Sequence, residues 1–467
     1  MKRLTYLLLF VLLAVSASAQ RAKYVFFFIG DGMGLNQVNT TEMYLGEQAG
    51  RIGTGPLTFA SFPVAGMATT FSATNSITDS AAGGTALATG SKTYNGAIGV
   101  NTDKETVMSV AERAKLAGKK VGITTSVSVD HATPASFYAH QPDRNMYYEI
   151  AQDMLKAGFD FYAGGGFLKP DRTFDGKKAP SIFPQIEEAG YVLARGLDEY
   201  EAKADEADKM VLIQDEDAAE TNLPYAIDRQ EDDLTLKQIT ESAIDFLMKD
   251  NNKGFFLMVE GGKIDWACHN NDVATVVNEV LDLDAAVKVA YEFYQKHPKE
   301  TLIVITADHE TGGLGMGREG YTLALKSLAN QESSQEALSR AITDLRKAKG
   351  KNATWGEVKA LLTEKMGFWE ELPISWEQER LLHDVYDESF VKNHVEFAES
   401  MYATTEPLAA AARQVMSQLA LVGWTSGDHT AEFVPVFAIG AGSKAFFGKM
   451  DNTDIPKRIA KAAGYKW

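Results

Sequence analysis

Apolar residues recur along this chain in two alternating rhythms. Short unbroken runs at 24–29, 120–126, 159–163, 255–259, 302–306 and 434–439 read as buried strands. Between them, 106–117, 234–249 and 273–295 carry the helical period. This β-α alternation predicts an α/β fold, a mainly parallel central sheet with helices on both faces. No internal repeat or low-complexity linker interrupts it.

The rhythm changes between 319 and 421, where strand patterns stop. Ser334 precedes Ala337, Leu338, Ala341, Ile342 and Leu345, and Gly350 follows. Thr354 with Glu357 and Ser375 with Gln378 stand at capping-box spacing. Leu408, Ala412, Val415 and Leu419 repeat the helical period. We expect a helical insertion at 319–421, carried by a sheet domain made of 20–318 and 422–467. Its apolar stripes read as packing surface.

The first residues explain themselves. Lys2 and Arg3 form a basic start, an apolar core runs from Leu4 to Val15, and Ala17-Ser18-Ala19 fits a cleavage site. The apolar part is too short to span a bilayer. Residues 1–19 are therefore expected to be a signal peptide, and the mature protein to be exported, periplasmic or secreted, with no membrane span. Removing Lys2 and Arg3 takes the formal charge from −17 to −19. Such a surface argues against nucleic-acid or acidic-lipid binding. An acidic protein that handles an anionic substrate needs local positive charge, such as metal ions. The single cysteine, Cys268, excludes an internal disulfide.

The chemistry gathers where apolar runs end. FFFIGDGMG places Asp31 between glycines at the exit of the first run. Asp and Gly are ordinary turn residues, yet the carboxyl edge of a parallel sheet is also where α/β proteins bind ligands. Four further stretches share the feature. EGGKIDWACH carries Glu260, Asp265 and His269; ADHETGG carries Asp308 and His309; SGDHTAEF carries His429; SVDHATPASFYAHQPDR carries His131, Thr133 and Arg144. Asp and His suit zinc, while a carboxylate with a hydroxyl suits magnesium. Taken singly, each pair also fits a capped helix or a hydrogen-bonded loop. Together, several such loops at sheet ends could face one cleft.

SITDSAAGGTALATG, residues 76–90, is rich in tiny side chains. It fits a close-packed helix, and equally a helix whose first turn presents Ser80 to an anion or a developing alkoxide. No G-x-S-x-G elbow surrounds Ser80, so a nucleophilic role would require activation by a metal.

In order along the chain, GDGMG, TDSAAGGTALATG, KTYNGAIGV, DHATPA with Arg144 downstream, EGGKIDWACH, TADHETGG and GDHT resemble the alkaline phosphatase family. The resemblance covers about 23–317 and 423–442. It implies two zinc ions and one magnesium per subunit. Asp265, His269 and His429 would hold the first zinc; Asp31, Asp308 and His309 the second. Asp31 would also reach the magnesium, with Thr133 and Glu260. Ser80 would be the nucleophile, Arg144 the phosphate-binding fork, and Asp79 the group that orients that arginine. His131 and Trp266 stand where one bacterial branch has Asp and Lys, which puts strict magnesium selectivity in question. Cys268 reads as a small packed residue, because the zinc set is complete without it.

The implied reaction is hydrolysis of small phosphate monoesters through a phosphoserine, with broad tolerance of the alcohol. The resemblance also implies a homodimer. Two alternatives stand beside it: a phosphodiesterase of the same superfamily, and a non-catalytic exported protein that binds metal or phosphate. Ser80 is followed by Ala-Ala-Gly-Gly rather than the C/S-x-P-x-R setting of a sulfatase. Arg144 crowds the phosphoryl pocket in a way that favours monoesters over diesters.

Overall fold

The structure is a computed structural model that describes residues 21–214, 221–399 and 402–467. The expected signal peptide lies outside the described residues. The main sheet has ten strands: β1 (Tyr24–Gly30), β2 (Val64–Thr69), β3 (Lys120–Thr125), β4 (Phe161–Gly164), β5 (Val192–Arg195), β6 (Met210–Ile213), β7 (Phe255–Gly261), β8 (Thr301–Thr306), β9 (Val434–Gly440) and β10 (Gly448–Asp451). Their order across the sheet is β10-β2-β9-β8-β1-β7-β3-β4-β6-β5. Among these described strands only β9 runs against its neighbours, β8 and β2.

All six strands expected from apolar runs are present. The four others, β2, β5, β6 and β10, gave weaker signals. β2 and β10 lie at one margin, where half-exposed positions break the apolar run. β5 and β6 are only four residues long.

The sheet is covered on both faces, as its apolar strands require. Side chains alternate along β1. Phe26 meets Phe293 of the helix Val273–Lys296, with ring centroids 5.5 Å apart. Phe27, on the opposite face, meets Phe137 at 5.9 Å. The helix Leu236–Met248 packs beside Val273–Lys296, while Val110–Leu116 and Asp454–Ala463 pack together on the other side. The first expected helix begins later than its apolar pattern, because Ser109 and Glu112 form a capping box that starts it at Val110.

Among the described residues of the 319–421 region there are four α-helices: Gln335–Lys349, Trp355–Met366, Trp376–Tyr386 and Pro407–Leu419. Ser334 caps the first, and both expected capping boxes form. Leu338, Ile342, Leu362, Leu408, Ala412 and Val415 make an apolar cluster with Val273 and Ala274 at the start of the long helix. This segment is not wholly without strands, since Ala398–Glu399 pairs with Thr404–Thr405.

Candidate active site

Asp31 follows the last residue of β1, and Glu260 sits near the end of β7. Asp308 and His309 leave β8, and His131 and Thr133 follow β3. Four neighbouring strands thus deliver their polar residues to one edge of the sheet. Asp265 and His269 stand one helical turn apart on Lys263–His269, which puts them on one face. His429 arrives through a short ladder, His429–Thr430 against Glu310–Thr311. Every residue expected at the metal sites is brought to this centre.

The turn after β1 needs its glycine. Gly32 has φ +70°, and a Cβ there would lie 2.8 Å from Asp265 Oδ1 and 2.9 Å from the Asp265 Cα. Gly83 has a similar role on the helix Ser80–Thr89, where a Cβ would sit 2.9 Å from the Asp308 carbonyl oxygen.

Among the described residues three groups of donor atoms form: Asp265 with His269 and His429; Asp31 with Asp265 and His309; and Asp31 with His131 and Glu260. Asp265 therefore belongs to the first two of these groups. Asp308 belongs beside the second, with Oδ2 3.4 Å from His309 Nε2, and Asp31 Oδ1 lies 3.2 Å from the same nitrogen. Thr133 Oγ1 donates to Asp31 Oδ2 at 3.3 Å, joining the third.

Hydrogen bonding settles which histidine nitrogen faces inward. His269 Nδ1 contacts the Gly427 carbonyl at 2.6 Å and His429 Nδ1 the Thr78 carbonyl at 2.9 Å. A carbonyl only accepts, so each Nδ1 carries a proton. Thr311 spends its one hydroxyl proton on Asp265, so it accepts from His309 Nδ1 at 3.2 Å. Each Nε2 is thus the ring nitrogen that faces the centre, where a metal ion would displace any proton it carries.

The centre calls for cations. His269 and His429 bring their Nε2 atoms within 3.1 Å of each other, close to the ~3.3 Å that separates ligands of a tetrahedral zinc with ~2.0 Å bonds. Among the described residues, buried Asp31 Oδ1, Asp265 Oδ2, Glu260 Oε1 and His131 Nδ1 find no hydrogen-bond partner. Burial, and then the charges of Asp308, Asp265 and Glu260, pushes Asp31 well above the usual carboxylate range. Burial is the leading cause that takes Asp308 up to about 7 and Glu260 to about 8. Asp265 goes the other way: burial opposes it, but the His269, His429 and His309 imidazoles hold its carboxyl strongly down. Burial likewise works against a charged His269, yet Asp265 lifts it to about 9. Without metal, protons must neutralise this centre; its nitrogen and oxygen donors fit zinc or a similar ion in that place.

Ser80 opens the helix Ser80–Thr89, whose N-cap is Asp79. Ser80 Oγ lies 3.2 Å from His309 Nε2. Asp79 accepts from Ala82 N at 3.0 Å, Gly96 N at 3.0 Å and Arg144 Nη1 at 3.1 Å. It ties the serine helix, the glycine-rich loop and the arginine together. A cavity of about 760 Å³ opens beside them, lined in part by His131, Arg144, Trp266 and Tyr402.

Three participants were not anticipated. Tyr402, from the helical segment, accepts from Arg144 Nη2 at 2.9 Å and stacks on Trp266 with centroids 4.8 Å apart. A lone aromatic in an irregular stretch gave no signal. Thr311 and Thr125 hydrogen-bond Asp265 and Glu260 respectively. Thr311 lies within ADHETGG, so its place beside two candidate ligands was the available clue. Cys268 is buried and free, as expected of a packed residue.

Known proteins match this arrangement across the chain. The family model described as Alkaline phosphatase matches residues 22–164 and 176–465, a range that includes the helical segment. Alkaline phosphatase 3 of Bacillus subtilis is 34% identical over 452 residues, 95% of this chain and 89% of that protein. Alkaline phosphatase 4 of the same species is 35% identical over 392 residues, 82% of this chain and 76% of that protein. Among solved structures, the cold-active alkaline phosphatase of Shewanella sp. superposes with a TM-score of 0.78 at 29% identity, covering 94% of this chain and 99% of that one. A variant of the alkaline phosphatase TAB5, with magnesium in its M3 site, superposes with a TM-score of 0.67 at 27% identity, covering 96% and 100%. The ordered motifs, the sheet-edge cluster and these likenesses along nearly the full length place the chain in the alkaline phosphatase family.

Proposed function

We propose that Ser80 is the nucleophile with which this phosphomonoesterase cleaves its substrates. The observation that carries the reading is the 3.2 Å contact between Ser80 Oγ and His309 Nε2. It sets a hydroxyl directly beside an imidazole that would hold an ion.

Asp265, His269 and His429 would hold one zinc; Asp31, Asp308 and His309, with Asp265 alongside, a second. Asp31, Thr133 and Glu260, with His131 close by, would hold magnesium. When bound, such ions lower the pKa of hydroxyl and water and neutralise charge on the attacking and departing oxygens.

The chain's own residues do the rest. The N-terminal end of Ser80–Thr89 favours negative charge developing on Oγ. Arg144 forks onto two non-bridging phosphoryl oxygens, and Asp79 holds it in place. Oγ bonds to phosphorus as the ester oxygen leaves and takes a proton, giving alcohol and phosphoserine. Water then bonds to phosphorus, Oγ regains its proton, and inorganic phosphate departs.

A leader at 1–19 would direct export, and no described helix is long and apolar enough to cross a membrane. The sheet domain, 20–318 with 422–467, would carry the chemistry and 319–421 would be an insertion upon it. A homodimer follows from the resemblance alone, and light scattering after size exclusion tests it.

The decisive assay compares p-nitrophenyl phosphate with its bis ester, for the parent and Ser80→Ala. The monoester should be turned over faster by the parent. The substitution should cut turnover ~1,000-fold or more, with zinc content unchanged. Faster diester cleavage would make this a diesterase, and full activity in Ser80→Ala would remove the serine from the reaction.

A further inference from the structure

Arg144 is held from two sides, and one of them belongs to the helical segment. Its Nη1 donates to Asp79 at 3.1 Å, and its Nη2 donates to the Tyr402 hydroxyl at 2.9 Å. Each terminal nitrogen of a guanidinium carries two N–H groups. The two bonds therefore leave one N–H on each nitrogen, the pair that a phosphoryl group can engage with two of its oxygens. With Asp79 alone the planar group could pivot about a single contact. With Tyr402 the plane is defined by two.

Tyr402 is itself firmly seated. Its ring stacks on Trp266 with an interplanar angle of 11° and meets His269 edge-on at 5.4 Å. Two residues further on, the strand Thr404–Thr405 is fastened to the helix Gln335–Lys349. Gln335 Nε2 donates to Thr405 Oγ1 at 3.0 Å, Glu406 N donates to Ser339 Oγ at 3.2 Å, and Arg346 pairs with Glu406. The helical segment thus reaches Arg144 through Tyr402.

We propose that Tyr402 is a positioning residue for Arg144, fixing the guanidinium plane so that the incoming phosphoryl group meets an already oriented fork. This rests on Arg144 binding phosphate, as read above. The helical segment then contributes to phosphate affinity as well as to packing.

Tyr402→Phe is the test, because it keeps the stacked ring and removes only the acceptor. KM for p-nitrophenyl phosphate and the inhibition constant of inorganic phosphate should rise together, by roughly three- to tenfold. The turnover number, zinc content and melting temperature should stay near the parent's. Introduced into Arg144→Ala, the same substitution should change neither constant further. Unchanged constants in Tyr402→Phe would overturn the proposal. So would an equal rise in the Arg144→Ala background, which would assign the effect to packing. If Arg144→Ala itself left phosphate inhibition intact, the reading of Arg144 would fail first, and visibly so.

Discussion

The imidazoles of His309 and His429 lie face to face, with ring centroids 3.6 Å apart and planes 21° from parallel. Two protonated rings could not share that buried space. Burial, followed by the neighbouring imidazole, holds His309 well below its ordinary pKa. Burial also lowers His429, with Asp265 opposing and His269 assisting. Both rings stay neutral and can offer lone pairs. The group that holds His429 and the group that holds His309 touch through these rings, so loading one bears on the other.

Stripping the metals should make stability fall as pH rises from 6.5 to 8.5. Asp308 and Glu260 have folded values of about 7 and about 8, above the ~4 of an unfolded carboxyl. Their contribution is complete below ~4 and is lost as pH passes through the folded values. Bound dications would replace those protons and flatten the dependence. Thermal melts of chelator-treated and zinc-loaded protein check this. A stripped protein that gains stability over that window would contradict it.

Arg144→Ala should weaken both substrate and inorganic phosphate about 10- to 100-fold. Arg144→Lys should recover only part of the loss, since an ammonium cannot fork onto two oxygens. Inhibition constants for phosphate read this directly. Equal inhibition of the parent and both variants would exclude the arginine from the phosphate site.

Gly32→Ala should destabilise the protein and loosen its metals. The left-handed backbone alone costs ~1–2 kcal/mol for a residue with a Cβ, and here the new atom would also press on Asp265. Gly176→Ala is the control: φ is +83° and nothing lies within 4 Å of the added carbon. Both variants should lose melting temperature, but only Gly32→Ala should lose zinc to a competing chelator. Equal retention in the two would mean that the Asp265 contact is harmless.

His131→Asp should raise the demand for magnesium. Burial, then Arg144, brings His131 down to about 3, so its ring is neutral at any working pH. The group with Asp31 and Glu260 mixes nitrogen and oxygen, which selects magnesium less strictly than an all-oxygen set would. A third carboxylate would sharpen the preference. Metal analysis after dialysis against an equimolar zinc–magnesium mixture would show it. Identical metal content in parent and variant would show that His131 does not select the ion.

What the sequence made legible follows from how local each signal is. Asp31, Glu260 and Asp308 stand at the ends of apolar runs, so a reading of strands also finds the sheet edge where they meet. The capping boxes at Thr354 and Ser375 are local too. β2 and β10 were missed because marginal strands carry exposed residues and lack a continuous apolar run. Tyr402 was missed for a different reason. Its position depends on a hairpin fastened to a distant helix, and nothing near it in the chain encodes the arginine it meets. The sharing of Asp265 between two donor groups is likewise a matter of three-dimensional distance, not spacing.

The small ladder that pairs His429–Thr430 with Glu310–Thr311 has a bearing on biosynthesis. Asp31 emerges from the ribosome well before His429, so no polypeptide that stops short of His429 can assemble the whole donor set. Phosphate-releasing ability would switch on only once His429 has been added, leaving shorter nascent fragments inert.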